Sequence, residues 1–296
     1  MSIARPRRDL LVVGHLNLDH EMGVDELPGP DRTVPVRSRR VFLGGTAGNI
    51  ARWAARTGLR VELASFVGED LPDEFRALLR REKVGISGVR VRKGELTPAC
   101  WIARDRAGEQ VTLIDQGAMG STAREPLPHL DGVGWVHLTT GDPRYQLRLA
   151  REARRRHIPI SFDPAQEIHY RWSPAGVREM LGHSSLLFAN RHEAEAVAQA
   201  MGIRSPAELT EVVPVAVVTD GARGATAYTR RGEVHAPAVR VRRPAGVTGA
   251  GDAFRGAFYS GWLTGLTLER SLARGARAAA SVVSHPRELL LPPYSP

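Results

Sequence analysis

Residues 247–254 read Val-Thr-Gly-Ala-Gly-Asp-Ala-Phe and give the strongest local signal in the sequence. It predicts a glycine-rich turn that opens a helix, because apolar residues follow Phe254 at spacings of three and four. Free N–H groups at a helix start bind anions together with the helix dipole, and Gly249 and Gly251 let a ligand approach the backbone. Asp252, in the first turn, is placed beside any phosphate held there. The alternative is an ordinary turn in which the acid only favours the helix start.

The chain has only two lysines, Lys83 and Lys93, and this excludes several other phosphate-binding motifs. A Walker A loop needs a lysine followed by serine or threonine, and neither lysine meets that condition. Protein kinases need a strand lysine and a His-Arg-Asp loop, and both are absent from the sequence. A dinucleotide fingerprint needs a third glycine where Phe254 stands. Helix termini and arginine are therefore left to hold a polyphosphate.

Composition places the chain among ordinary globular proteins. It has 296 residues, 42% of them hydrophobic and 25% charged, which is long enough to bury a core. The formal net charge of +9 suggests a nucleic-acid binder, but the arginines are spread through every predicted element and only 6% of residues are aromatic. We therefore expect no nucleic-acid partner.

The lone cysteine, Cys100, rules out an internal disulfide and a cysteine-rich metal site. The apolar run after the basic start is only four residues long, and no later run reaches the roughly 18 apolar residues of a membrane span. We therefore expect no membrane partner and a cytoplasmic location.

Strands alternate with helices along most of the chain, from Leu10 onward. This order predicts an α/β fold with a mostly parallel central sheet and helices on both faces. Two β-rich segments, about 23–43 and 97–115, predict a small β-sheet attached to that body. A helix is expected around Phe75 to Leu79, ending near Gly85. We expect a single domain over residues 1–296.

Two further turns carry polar side chains toward the same edge of the predicted sheet. Asn17 and Asp19 follow the first strand, and their spacing of two directs both side chains to one side, suited to vicinal hydroxyls. Gly44 and Gly45 form a second strand-to-helix turn that brings Asn49 into the first helical turn. An Asx turn and a plain helix entry are the alternatives.

Asn190 and Glu193 follow a later strand and lie three apart on one helix face. In that position they can order magnesium-bound water near a phosphate, although a capping box explains the same spacing. Weaker signals of the same kind are the turn with Thr219, Gly221 and Gly224, and the segment that ends at Gln166.

Taken in this order, the segments resemble the ribokinase-like (PfkB) family of carbohydrate and nucleoside kinases over nearly the whole chain. The turn at 44–49 looks like the first signature of that family, and the turn at 249–252 looks like the second. Several stretches are most similar to the archaeal-type nucleoside kinases: Gly14-His15, 116–119, 140–143, 161–166, 190–193 and Arg255.

The resemblance implies a Rossmann-like body, a small β lid and a set of roles. Asp252 matches the catalytic base, and backbone N–H groups at Gly249, Ala250 and Gly251 match the anion hole. The expected acceptor-binding residues are Asn17, Asp19, Gly44, Gly45, Asn49 and Gln166. The expected nucleotide-binding residues are Asn190, Glu193, Thr219, Gly221 and Gly224, with Glu193 reaching Mg²⁺ through water.

The resemblance implies an ATP- and Mg²⁺-dependent kinase that phosphorylates the 5′-hydroxyl of a nucleoside, with a ribose- or fructose-type sugar kinase as the alternative. A nucleoside base needs an apolar surface, for which Trp101, Ile114 and Met119 are the candidates. A homodimer through the lid is a further expectation. Gly246 replaces an acid that many family members use for a monovalent cation, so the resemblance does not carry potassium activation over to this chain.

Overall fold

The structure is a computed structural model, and it describes residues 6–244 and 246–285. The predicted domain therefore includes residues 1–5, 245 and 286–296, which lie outside the described residues. The strands are β1 Leu10–Val13, β2 Asn17–Gly23, β3 Ser38–Gly44, β4 Val61–Val67, β5 Val84–Val91, β6 Ala99–Arg104, β7 Gln110–Asp115, β8 Val136–Leu138, β9 Ile160–Phe162, β10 Leu186–Asn190, β11 Val215–Thr219, β12 Ala225–Thr229 and β13 Gly232–Ala236. The α-helices are α1 Thr46–Arg56, α2 Asp73–Arg81, α3 Pro143–Arg155, α4 Pro174–His183, α5 Arg191–Met201, α6 Ala250–Trp262 and α7 Leu268–Ser284.

The larger sheet has nine strands in the order β13-β12-β11-β10-β9-β8-β1-β4-β5. Every neighbouring pair from β5 to β11 is parallel, and β12 and β13 add two antiparallel strands at one edge. The carboxyl ends of its parallel strands therefore lie along one edge of the sheet, and ligands bind at this edge in open α/β sheets. The expected mostly parallel α/β architecture is confirmed.

Strand β1 shows why the sheet needs helices on both faces. Leu10 and Val12 pack into the core beneath α1, α2, α6 and α7, whereas Leu11 and Val13 pack into the core beneath α3, α4 and α5. Side chains alternate between the two faces of a strand, so a strand covered on both sides is apolar at every position.

The smaller sheet has four strands in the order β3-β2-β6-β7, which confirms the expected second sheet. It begins earlier than the sequence indicated, because β2 starts at Asn17 and residues 24–37 form no strand. Polar residues at 17, 19 and 21 occupy one face of β2, and His20 interrupts the apolar positions of the other face between Leu18 and Met22. Asp19 lies opposite Cys100 and His20 opposite Trp101, so the two faces of this sheet are distinct.

Strand β5 is absent from the sequence-based prediction, which placed Gly85 at the end of a helix. The helix α2 ends at Arg81, and Lys83 turns the chain with a φ of 61°. Gly85 lies within β5, and a β-carbon on Gly88 would stand 2.9 Å from the β-carbon of Ala64. The glycines that allow this close strand pairing also removed the apolar signal for a strand.

Within the described ranges, no helix combines the length and the apolar character needed to cross a bilayer.

Candidate active site

The start of α6 is a helix terminus at which one of the three expected anion-binding N–H groups is engaged, because Ala250 N donates to Val247 O over 3.1 Å. Gly249 precedes the first helical residue with a φ of 79°, in the left-handed region that favours glycine. No atom of the described residues lies within 4 Å of the place where its β-carbon would be, so the backbone is open to a ligand. The turn that the sequence predicted as an anion site is therefore accessible.

Asp252 lies in the first turn of α6 and meets a residue from a distant part of the chain. Asn49 Nδ2 donates a hydrogen bond to Asp252 Oδ2 over 2.9 Å. Burial raises the pKa of Asp252 to about 6, while the charge of Arg255 and the Asn49 bond lower it and Asp19 and Glu193 raise it further. The carboxylate is thus close to the ideal strength for accepting a proton near neutral pH.

Close packing of α1 against α6 brings Asn49 to Asp252. A β-carbon on Gly256 would stand 2.8 Å from the carbonyl oxygen of Ile50 and would overlap the side chain of Trp53. Because glycine lets the two helix backbones approach closely, the first turns of both helices lie side by side.

Asp19 and Asn17 project from the same face of β2, as their spacing predicted. The Asp19 carboxylate occupies the space that a side chain at Gly44 would need. Asn17 Oδ1 and Asp19 Oδ1 are buried and have no hydrogen-bond partner among the described residues. Buried polar atoms are rarely left unpaired, so these two oxygens are available to a polar ligand or to water.

Cys100 joins this pair, and the sequence analysis gave it no role in the site. Asn17 Nδ2 donates to Cys100 Sγ over 3.3 Å, and the thiol bonds to Asp19. Burial raises the pKa of Cys100 to about 12, so the thiol is neutral and donates. Burial also raises the pKa of Asp19 to about 7. The signal that would have found Cys100 is its register opposite Asp19 in the small sheet.

Gly45 sits immediately before α1 with a φ of 88°. A β-carbon there would overlap the carbonyl oxygen of His15 and lie 2.8 Å from the backbone nitrogen of Asn17. The second glycine turn therefore packs directly against the loop between β1 and β2, which brings the two predicted motifs together.

Asn190 and Glu193 form the capping box of α5. Glu193 N donates to Asn190 Oδ1 over 2.9 Å, and Asn190 N donates to Glu193 Oε2 over 2.7 Å. Gln166 Nε2 donates to Glu193 Oε1 over 3.3 Å, which places Gln166 beside Glu193. Both oxygens of Glu193 are engaged, so this carboxylate suits contact with a cation through water rather than direct ligation.

The remaining predicted residues lie on the next strand of the sheet. Thr219 ends β11 directly beside Asn190, at the ends of adjacent parallel strands. Gly221 has a φ of 52° and open space around it, whereas a side chain at Gly224 would overlap the carbonyl oxygen of Ala236. Gly224 therefore serves the packing of this turn against β13.

Two of the three residues expected to contact a base are placed elsewhere. Trp101 lies on the opposite face of the small sheet from Asp19, stacked on His20 with ring centres 4.1 Å apart. Met119 is buried in the core, where its sulfur accepts from the Phe66 backbone N–H over 3.3 Å. Ile114 shares the Asp19 face, since it lies opposite Cys100, and 42% of it is exposed. The predicted base contact of Trp101 is therefore wrong because its side chain lies on the other face of the sheet. That of Met119 is wrong because its side chain is buried in the core.

An open helix start, a carboxylate in its first turn and polar groups around it define an enzyme that transfers a phosphoryl group to a hydroxyl. The chain belongs to the pfkB family of carbohydrate kinases, whose pattern matches residues 7–289.

Individual relatives are similar to this chain over most of its length. It is 32% identical over 272 residues to a nucleoside kinase of Methanocaldococcus jannaschii, covering 92% of this chain and 89% of that protein. The crystal structure of the M. jannaschii nucleoside kinase, described as an archaeal member of the ribokinase family, superposes with a TM-score of 0.87 at 30% identity and covers 94% of this chain and 92% of the other. An ATP-dependent ribose-1-phosphate kinase of Halopiger xanaduensis is 30% identical over 269 residues, covering 89% of this chain and 88% of that protein.

Proposed function

We propose that this protein is an ATP- and Mg²⁺-dependent kinase that phosphorylates the 5′-hydroxyl of a nucleoside. The proposal rests on the groups that lie together at the start of α6. Asp252 and Asn49 are joined there by a 2.9 Å hydrogen bond, beside the open backbone at Gly249. The similarity to the M. jannaschii nucleoside kinase supports the choice of acceptor.

In this proposal Asp252 accepts the proton of the attacking 5′-hydroxyl. Backbone N–H groups of Gly249 and Gly251 face the transferring phosphoryl group and stabilise its charge, whereas the Ala250 N–H donates to Val247 O over 3.1 Å. The loose transition state of phosphoryl transfer leaves little covalent work for the protein, so positioning and electrostatics supply the rate enhancement. Because the pKa of Asp252 is about 6, it is ionised at neutral pH and ready to accept the proton.

The acceptor is held by the polar groups on β2 and at the start of α1. The unpartnered oxygens of Asn17 and Asp19 accept from the ribose hydroxyls, and Asn49 contacts the sugar beside Asp252. Gly44 leaves room for the Asp19 carboxylate, and Gly45 leaves room for the loop between β1 and β2. The base extends toward the exposed face of Ile114. Gln166 is placed at the other side through its bond to Glu193.

The donor nucleotide is assigned to Asn190, Glu193, Thr219, Gly221 and Gly224. The described residues contain no group of three or more side chains that would bind a metal on its own. Mg²⁺ commonly keeps several waters and is held by substrate phosphates with one or two carboxylates, a pattern that Glu193 fits. When bound, Mg²⁺ would neutralise charge on the donor phosphates.

A panel of acceptors with ATP and Mg²⁺ tests this function. We expect kcat/KM for nucleosides to be at least tenfold higher than kcat/KM for free ribose or fructose. The reason is that the base contributes binding energy at Ile114. Ribose 1-phosphate belongs in the panel because of the Halopiger relative. Faster turnover of ribose or ribose 1-phosphate than of any nucleoside would contradict the assigned acceptor.

We also propose that two copies of the chain associate through the small sheet. Trp101, Val111 and Leu113 lie on the face away from Asp19 and are 39%, 50% and 65% exposed. An apolar cluster on one sheet face is a common interaction site. Sedimentation of the wild type and of Leu113→Arg tests this association, since we expect the added charge to produce monomers.

A cytoplasmic location stays a prediction.

A further inference from the structure

A buried arginine lies behind the start of α6, and the roles proposed above do not use it. Arg255 follows Asp252 by three residues, so both side chains project from the same face of the helix. Arg255 is only 6% exposed. Because arginine is almost never buried without partners, its contacts show what holds it there.

Asp163 is the first of these partners. Arg255 Nη2 donates to Asp163 Oδ1 over 3.1 Å, and Arg255 Nε forms an ion pair with Asp163 Oδ2. Nη2 also lies 3.7 Å from Glu193 Oε2. One hydrogen bond and one close ion pair to the same carboxylate hold the guanidinium, so its position is set by Asp163.

Asp163 is itself held from behind by a polar cluster in the core. It is fully buried, and His137 Nε2 lies 3.9 Å from its Oδ2. His137 Nδ1 lies 2.8 Å from the Tyr259 hydroxyl, and Ser161 Oγ is 3.0 Å from the same nitrogen. His137 Nε2 and Asp163 Oδ2 are buried and form no hydrogen bond among the described residues, so the cluster confines Asp163 by packing.

Asp163 also shapes the segment that reaches Glu193. Ala165 N donates to Asp163 Oδ1 over 3.2 Å, and Ala165 has a φ of 48°, in the left-handed region that non-glycine residues avoid. The next residue, Gln166, donates to Glu193. One carboxylate therefore orients Arg255 on α6 and Gln166 beside α5.

Arg255 also explains why position 251 is a glycine. The φ of Gly251 is not left-handed, so its backbone conformation is open to other residues. A β-carbon there would stand 2.7 Å from Arg255 Nη1. The guanidinium therefore lies directly against the turn whose N–H groups face the phosphoryl group.

We propose that Arg255, clamped by Asp163, is a positioning residue for phosphoryl transfer: it fixes Glu193 and the turn 249–252 relative to each other and places a positive charge behind that turn. This proposal rests on the function proposed above. A buried cation stabilises developing negative charge more strongly than an exposed one. The same charge lowers the pKa of Asp252 and favours its ionised form.

Three single variants test the role. We expect Arg255→Met to lower kcat about 100-fold, the scale of losing one donor that stabilises the transition state, with the nucleoside KM changed less than about threefold. Arg255→Lys should restore part of kcat, because it keeps the charge but loses the paired contacts. Arg52→Met is the matched control, since Arg52 is 3% exposed and pairs with Glu82 over 2.7 Å. It should lower the melting temperature and leave kcat of the folded enzyme unchanged.

A double-mutant cycle tests the contact with the turn. Gly251→Ala should lower kcat in the wild-type background and have less than about a twofold effect in the Arg255→Met background, where the overlap is relieved. If Arg255→Met folds poorly, the cycle is repeated with Arg255→Met/Asp163→Asn, which removes both buried charges. Equal effects of Gly251→Ala in both backgrounds would overturn the proposed contact.

The failure of this inference is distinguishable from the failure of the proposed function. Asp252→Asn is measured in the same assay with the same nucleoside and ATP. If Asp252→Asn loses activity and Arg255→Met keeps wild-type kcat, the base stands and Arg255 has no positioning role. If the wild-type enzyme turns over no nucleoside with ATP, the proposed function itself is wrong; if it does and Asp252→Asn keeps wild-type kcat, only the assigned base is wrong.

Discussion

Asn49 and Asp252 are 203 positions apart in the chain and share a hydrogen bond of 2.9 Å between Nδ2 and Oδ2. The first residue lies in the first turn of α1 and the second in the first turn of α6, and Gly256 lets the two helices meet. The bond therefore joins the two glycine-rich turns of the sequence in a single site.

Replacing the proposed base is the first test. Asp252→Asn keeps the size of the side chain and removes the group that accepts the proton, so kcat should fall about 100- to 10,000-fold. Binding of the nucleoside, followed by calorimetry, should stay within about threefold of wild type, because the acceptor contacts lie on other residues. An unchanged kcat would show that the proton leaves by another route.

The pH dependence follows from the raised pKa of Asp252. The base works only when ionised, so kcat should fall as the pH drops through about 6. Asn49→Ala removes a hydrogen bond that lowers this pKa, and the acid limb should therefore move to higher pH. Profiles of kcat for both enzymes check the direction, and a limb that moves to lower pH contradicts the assignment.

The crossing of α1 and α6 should tolerate no added side chain. Gly256→Ala places a methyl group 2.8 Å from the carbonyl oxygen of Ile50, and such overpacking destabilises by about 1–3 kcal/mol. Gly182→Ala in α4 is the control, because no atom lies within 4 Å of its β-carbon position. That change should be neutral or stabilising by up to about 1 kcal/mol. Urea unfolding of both variants measures the difference.

Neighbouring residues of β7 provide a test of base recognition. Ile114 shares a face with Asp19, and Leu113 points to the opposite face. Ile114→Ser should raise the nucleoside KM about tenfold through lost apolar contact, with little change in the KM for ATP. Leu113→Ser should leave both constants near wild type. Equal effects of the two substitutions would place the base elsewhere.

Local sequence patterns predicted much of the fold and the motif residues. The glycine turns at 44–49 and 249–252 each lead into a helix, and strands alternate with helices along most of the chain. These features depend on residues close together in the chain. Strand β5 was missed because Gly85 and Gly88 serve pairing with β4, which no local pattern reveals.

Local sequence patterns do not show which face of a strand a side chain occupies, nor which residue pairs with a buried charge. Both became visible only in the structure. Trp101 was a reasonable choice for a base contact, but only its register opposite His20 shows that it faces away from Asp19. The pairing of Arg255 with Asp163 spans 92 positions. The sequence places Arg255 among the apolar residues that begin α6. This indicates that the arginine has a buried acidic partner, but it does not identify Asp163.

The acceptor site is divided between the two sheets. Asp19 and Gly44 belong to the small sheet, whereas Asn49 and Asp252 belong to helices packed on the large one. The residues assigned to the nucleotide are all carried by the large sheet and its loops. In the proposed function the acceptor therefore contacts residues of both sheets, whereas the nucleotide contacts only residues carried by the large sheet.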